Sequence, residues 1–174
     1  VCTLVAALGL IVAIAAIVML PSRADLFRGM LVISPLNSLF EIVCLVLAFF
    51  TILLASRETS NYGEYLAIVL LATIGLLLLV SSEELLMIFI GLELTGLSLY
   101  LMTAFDKGDI RSAEAGLKYF LFGSTASAFT LFGLSLIYGI AGSTSLAAIA
   151  NRLSTEALSP LLFAGLAMTL VGFA

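Results

Sequence analysis

Six apolar stretches dominate this chain, at 1–20, 35–55, 64–80, 84–104, 113–141 and 158–174. A hydrocarbon core about 30 Å thick takes roughly 17–25 helical residues to cross, and a helix satisfies its own backbone hydrogen bonds where no water can. The pattern therefore predicts an all-α fold: a polytopic transmembrane helical bundle, one transmembrane domain over 1–174 with six spans, the last of them truncated. Composition agrees, because 63% hydrophobic residues against 10% charged ones is incompatible with a soluble domain of this length.

The connections carry helix start and stop chemistry. Ser34 before Pro35 is an N-cap followed by the residue best suited to the first helical position. Asn61 with Glu64, and Ser81 with Glu84, have capping-box spacing, and Pro21, Pro35 and Pro160 all stand at expected helix ends. The first span has neither a basic region before it nor a small-residue cleavage site after it, so it does not match a signal peptide. The last span stops at Ala174 without a cap, and the chain is expected to be an internal piece of a longer membrane protein. Alternating sides places Arg23, Arg28 and Arg152 on one face and Arg57, Lys107 and Arg111 on the other, a tie that leaves orientation undecided.

Several function classes are excluded at this stage. The formal charge of −4 is scattered through short connections and forms no patch for nucleic acid. Cys2 and Cys44 lie inside apolar runs and are expected to pack as small hydrophobes. The chain has no histidine and no cluster at ligand spacing, so no metal or haem is expected within it.

Glu93 stands in the middle of the fourth stretch, the only ionisable group deep in that span. An ionised residue at a helix centre costs roughly 2.5–3.5 kcal/mol on translocon scales, so such a group marks function more often than packing. It shares a face with Phe89, Ile90, Gly96, Leu97 and Tyr100, while Gly91, Thr95 and Ser98 form a small-residue stripe nearly opposite. The fifth span repeats the construction. Lys118 aligns with Glu114, Leu121, Phe122 and Thr125, and Gly116, Gly123 and Ser127 form the stripe on the far side. Lys118 has two readings: its ammonium points into the bundle, or it pairs with Glu114 at i,i+4 and snorkels to the interface. Glu41 is close enough to a span end to reach the interface, and Glu83 and Glu84 suit a helix N-terminus. Tyr100, Tyr119 and Tyr138 lie near span ends, where aromatic belts are expected.

The phrases GLEL around Glu93 and EAGLKYFLFGSTASAF around Lys118, within a similar stretch covering at least 63–146, resemble the subunit N (subunit 2) family of respiratory complex I, the proton-pumping NADH:quinone oxidoreductase. The resemblance implies that Glu93 is a midplane carboxylate paired with a lysine on a later broken helix, and that Lys118 modulates it; both belong to proton translocation. A carboxylate removed from water holds its proton more tightly, a nearby ammonium loosens it, and moving the ammonium makes the pair a switch. The resemblance further implies an antiporter-like inverted-repeat fold whose second copy supplies the exit half of the channel. No cofactor is expected in this chain. NAD, flavin, iron–sulfur clusters and quinone belong to other parts of the complex. The implied partners are other membrane subunits and the lipid bilayer, with protons as the only small substrate. The implied location is a bacterial cell (inner) membrane or an organellar energy-converting membrane. Two alternatives stand beside this: a subunit of a Mrp-type cation/proton antiporter, and a structural assembly subunit. The segment near Ser34 departs from the family, which often has an aspartate there.

Overall fold

In a computed structural model, residues 2–20, 24–55, 61–155 and 159–173 are described. Helix α1 (Cys2–Met19) leads into a hairpin of β1 (Ala24–Leu26) and β2 (Leu31–Ile33), closed by a 3₁₀ turn over Phe27–Gly29. The helices α2 (Pro35–Ala55), α3 (Tyr62–Ser81), α4 (Leu85–Thr103), α5 (Ile110–Ala141), α6 (Leu146–Thr155) and α7 (Pro160–Phe173) follow. Five of them, α1 to α5, are long and apolar enough to cross a membrane among the described residues. The sixth expected span is a 14-residue apolar helix, α7, short of that length.

Capping explains most helix starts, although not always through the expected residue. Ser34 caps α2 as its spacing requires, accepting from the Asn37 backbone nitrogen at 3.2 Å. The expected Ser81/Glu84 box does not form. Ser81 ends α3, and Glu84 is itself the N-cap of α4, its carboxylate accepting from Met87 N at 2.9 Å. Asn61 precedes α3 in the left-handed region and makes no side-chain cap. Asp109 caps α5 by accepting from Arg111 N at 2.9 Å, which moves the helix start ahead of the expected residue 113. Pro35 and Pro160 open their helices, while Pro21, Arg23, Arg57 and Ala174 lie outside the described residues.

The hairpin and α6 are additions to the expected plan. Both lie on one face of the bundle, where Leu31 bridges Ser82, Glu83 N donates to Met30 O, and Glu84 bridges Ser145. Arg152, on α6, therefore shares the hairpin face, and Lys107 follows α4 at the other end. A strand pair this short is invisible to hydropathy, and among the described residues α6 buries Ile149, with Leu153 partly covered.

Two cores result. One joins α1, α2 and α3 through Leu10, Leu45, Ala48, Ile52, Leu66 and Val69. The other joins α5, α6 and α7 through Leu134, Ile137, Ala141, Ile149 and Leu162, with Leu85 and Phe89 of α4 against it. Helix α3 packs on α4, and α5 on α7, by the same device. A Cβ on Gly75 would stand 2.8 Å from the Thr95 backbone nitrogen and 2.9 Å from Gly91 O. A Cβ on Gly133 would stand 2.6 Å from both Thr169 N and Gly165 O. Each pair thus puts one glycine against a glycine and a threonine spaced four apart, the small-residue contact that draws helices together in lipid.

Candidate functional site

Glu93 lies on α4 at the seam between these two close-packed pairs. Gly91 and Thr95, the expected small stripe, turn toward α3, and the carboxylate therefore turns toward α5. There Ser127 donates its hydroxyl to Glu93 Oε1. Neighbouring hydroxyls behave differently: Ser124 and Thr125 donate to Leu121 O, and Thr130 to Ala126 O, each on its own helix. Ser127 alone of these four reaches across, which gives the half-buried carboxylate a charge-assisted partner.

The pair opens on a cleft of about 310 Å³ between α4, α5 and the end of α7. Phe89, Tyr100, Tyr119, Thr130 and Gly172 are among its walls. Gly172 closes one side, since a Cβ there would come within 2.6 Å of Ala126 O. Tyr100 occupies another, its ring packed edge-on against Tyr119 with centroids 4.7 Å apart and against Phe120 at 5.9 Å. Tyr100 thus enters the cleft, a place its position near a span end does not suggest. Gly123 leaves the space that the Tyr100 hydroxyl fills.

Lys118 is not brought to Glu93. Its ammonium pairs with Glu114 at 2.5 Å, and the two side chains are 66% and 59% exposed. The reason lies in the stripe on the other side of α5. Gly116 meets Ala104, Gly123 meets Tyr100 and Ser127 meets Glu93, so the small face contacts α4 and the Lys118 face is turned outward. Of the two readings, the i,i+4 pair is the one observed. Sequence reasoning missed Ser127 as the partner of Glu93, because a serine in a small-residue stripe carries no mark separating packing from hydrogen bonding.

The arrangement can hold and release a proton. A carboxylate with one hydroxyl donor, a small cleft and no cation among the contacts seen at it can exist charged or neutral, and Ser127 can turn its hydroxyl to suit either form.

Residues 82–174, more than half of the chain, match the family described as "NADH:quinone oxidoreductase/Mrp antiporter, TM". The chain is 39% identical over 174 residues to "NADH-quinone oxidoreductase subunit N" of Moorella thermoacetica, covering 98% of this chain and 37% of that protein. It is 41% identical over 163 residues to "NADH-quinone oxidoreductase subunit N 2" of Symbiobacterium thermophilum, covering 86% and 32%. The chain spans about a third of the length of the curated relatives it matches. Among solved structures it superposes on a chain of respiratory complex I from Thermus thermophilus with bound aureothin, with a TM-score of 0.79 and 30% identity, covering 98% of this chain and 37% of that one. It also superposes on a chain of the membrane-bound sulfane sulfur reductase, an archaeal respiratory membrane complex, with a TM-score of 0.80 and 26% identity over the same shares.

Proposed function

This chain belongs to the NADH:quinone oxidoreductase/Mrp antiporter transmembrane family, and from that premise we propose that it is the N-type part of a proton-translocating membrane subunit of NADH:quinone oxidoreductase. Glu93 is the proton-carrying group. The observation that supports this most is the Ser127–Glu93 hydrogen bond, a titratable carboxyl placed beside a cleft in the middle of a span. An ionisable residue in the middle of a span is costly to keep and suits a site that must change protonation.

Lys118 is proposed as a modulating charge at the outer face of α5, acting on the seam through space. The redox groups, NAD, flavin, iron–sulfur clusters and quinone, are assigned to other parts of the complex, so this chain binds none of them. Its partners are neighbouring membrane subunits and lipid, and its place is a bacterial cell membrane, in keeping with the bacterial relatives. The relatives bearing the subunit N name favour this reading over a Mrp-type antiporter. The test is Glu93→Ala and Glu93→Asp in the full-length parent, with assembly followed on a native gel and pumping by acidification of membrane vesicles. Alanine should assemble and lose most pumping, and aspartate should keep part of it. Full pumping by an assembled alanine variant would overturn the proposal.

A further inference from the structure

A second carboxyl lies within the spans, away from Glu93. Glu41 sits on α2 two turns from its start, half-buried against α3, and its Oε1 is 2.5 Å from the Oγ of Ser81, the last residue of α3. The same Ser81 Oγ is 2.8 Å from the Leu77 carbonyl oxygen. A serine hydroxyl has one proton to donate, and both neighbours are acceptors when Glu41 is ionised. Each contact has a hydrogen of its own only if one proton comes from the carboxyl: Glu41 then donates to Ser81 Oγ, and Ser81 donates to Leu77 O. An ionised Glu41 would leave its oxygen and the Leu77 carbonyl sharing the single hydrogen of Ser81.

The surroundings fit a proton site near the membrane face. The hairpin spans the two helices above the pair: Asn37 of α2, one turn before Glu41, donates its Nδ2 to Val32 O at 2.9 Å, and Leu31 bridges Ser82, next to Ser81. The ionisable groups on the packed elements are few. Helix α2 itself offers Cys44, and α1 carries no charged residue. Tyr62, Glu64 and Tyr65 lie in the first turn of α3, at the opposite face from Ser81. Asp25 and Arg28 belong to the hairpin, and Glu83 and Glu84 to the link after α3.

We propose that Glu41 and Ser81 form a second proton-binding site, set at the hairpin face of the α2–α3 interface, whose resting form is the neutral acid donating to Ser81. Loading consists of one proton passing from hydronium on the hairpin side to a Glu41 carboxylate oxygen, with water left behind. The site is structurally separate from Glu93, so it stands whether or not Glu93 carries the transported proton.

Infrared difference spectroscopy on the full-length protein in liposomes tests it by following protonated-carboxyl C=O bands as pH is raised. The native protein should show a band at neutral pH that disappears at high pH. Glu41→Gln should remove it, and Glu93→Gln should leave it in place. If Glu41→Gln fails to accumulate, Ser81→Ala provides the second reading, because loss of the hydroxyl acceptor should shift the band without abolishing it. A native spectrum whose carboxyl bands are the same in Glu41→Gln, or unshifted in Ser81→Ala, would overturn the assignment.

Discussion

Ser127 of α5 donates a hydrogen bond to Glu93 of α4 across a seam that is flanked on both sides by glycine-packed helix pairs, α3 with α4 and α5 with α7. The close-packed pairs leave little freedom behind either residue, so the carboxyl and its donor are held at a fixed separation while the cleft beside them stays open. A site built this way holds its geometry through the helices that carry it, and tolerates changes of charge at the seam itself.

Ser127→Ala removes the donor seen at Glu93 among the described residues. A hydrogen bond to a charged group contributes about 1.5–3 kcal/mol, and each 1.4 kcal/mol is tenfold in rate. Pumping by the full-length variant, normalised to assembled protein, should fall about tenfold or more, and Ser127→Thr should restore most of it. Vesicle acidification measured beside a native gel decides the matter, and equal rates for the alanine and native proteins would remove Ser127 from the site.

Lys118 faces outward and is paired, so its influence on the seam is electrostatic and subject to screening. Exposed ion pairs contribute at most about 1 kcal/mol, so Lys118→Met should leave stability nearly unchanged. Pumping should slow by a few-fold at low ionic strength, and the defect should shrink as salt rises and the screening length falls below about 10 Å. Lys118→Arg keeps the charge and should remain close to native. A defect in Lys118→Met that is independent of salt would mean that the ammonium acts at close range inside the protein.

Gly133 and Gly139 lie on the same helix and should respond oppositely to alanine. A Cβ at Gly133 would press into the α7 backbone, whereas nothing lies within 4 Å of a Cβ at Gly139. Overpacking of this kind costs about 1–3 kcal/mol, while replacing a helical glycine in open space gains about 0.5–1 kcal/mol. Thermal unfolding of the full-length protein in detergent should therefore show a lower midpoint for Gly133→Ala and an equal or higher one for Gly139→Ala. The same midpoint for both would contradict the close α5–α7 approach.

Glu84 is 6% exposed and caps α4. Glu84→Ala removes the acceptor for Met87 N and should cost about 1 kcal/mol, with Glu84→Ser recovering part of it. Faster amide exchange confined to the first turn of α4 would report the same loss locally, and unchanged protection of Met87 N in the alanine variant would show that the cap contributes nothing.

Much of this was legible in the sequence because hydropathy and small-residue spacing act over whole helices. The five long spans follow from apolar length. Gly91 and Thr95 mark the α3 side of α4, and by elimination they aim Glu93 elsewhere. What the spacing leaves open is which of two faces on α5 meets α4. The lysine face and the glycine face are equally regular, and close approach of backbones decides in favour of Gly116 and Gly123. The β1–β2 hairpin, with three residues in each strand, is set by tertiary bridges to Ser82 and Glu83 that no local pattern encodes. Ser81 fits a helix cap by spacing, yet in the fold it ends α3 and faces Glu41.

The contact between Ala104 and Gly116 fixes the level of one end of the α4–α5 seam. Glu93 and Ser127 each lie eleven residues from it along their own helices, about 16 Å at 1.5 Å per residue. That is close to half of a hydrocarbon core about 30 Å thick. Moving one charge through the whole membrane field involves about 2.3 kcal/mol per 100 mV, so a proton stopping at Glu93 would meet about 1.2 kcal/mol of it on either leg. A carboxyl at half depth would divide the voltage evenly between uptake and release, and neither half of a path through it would work against the full membrane potential.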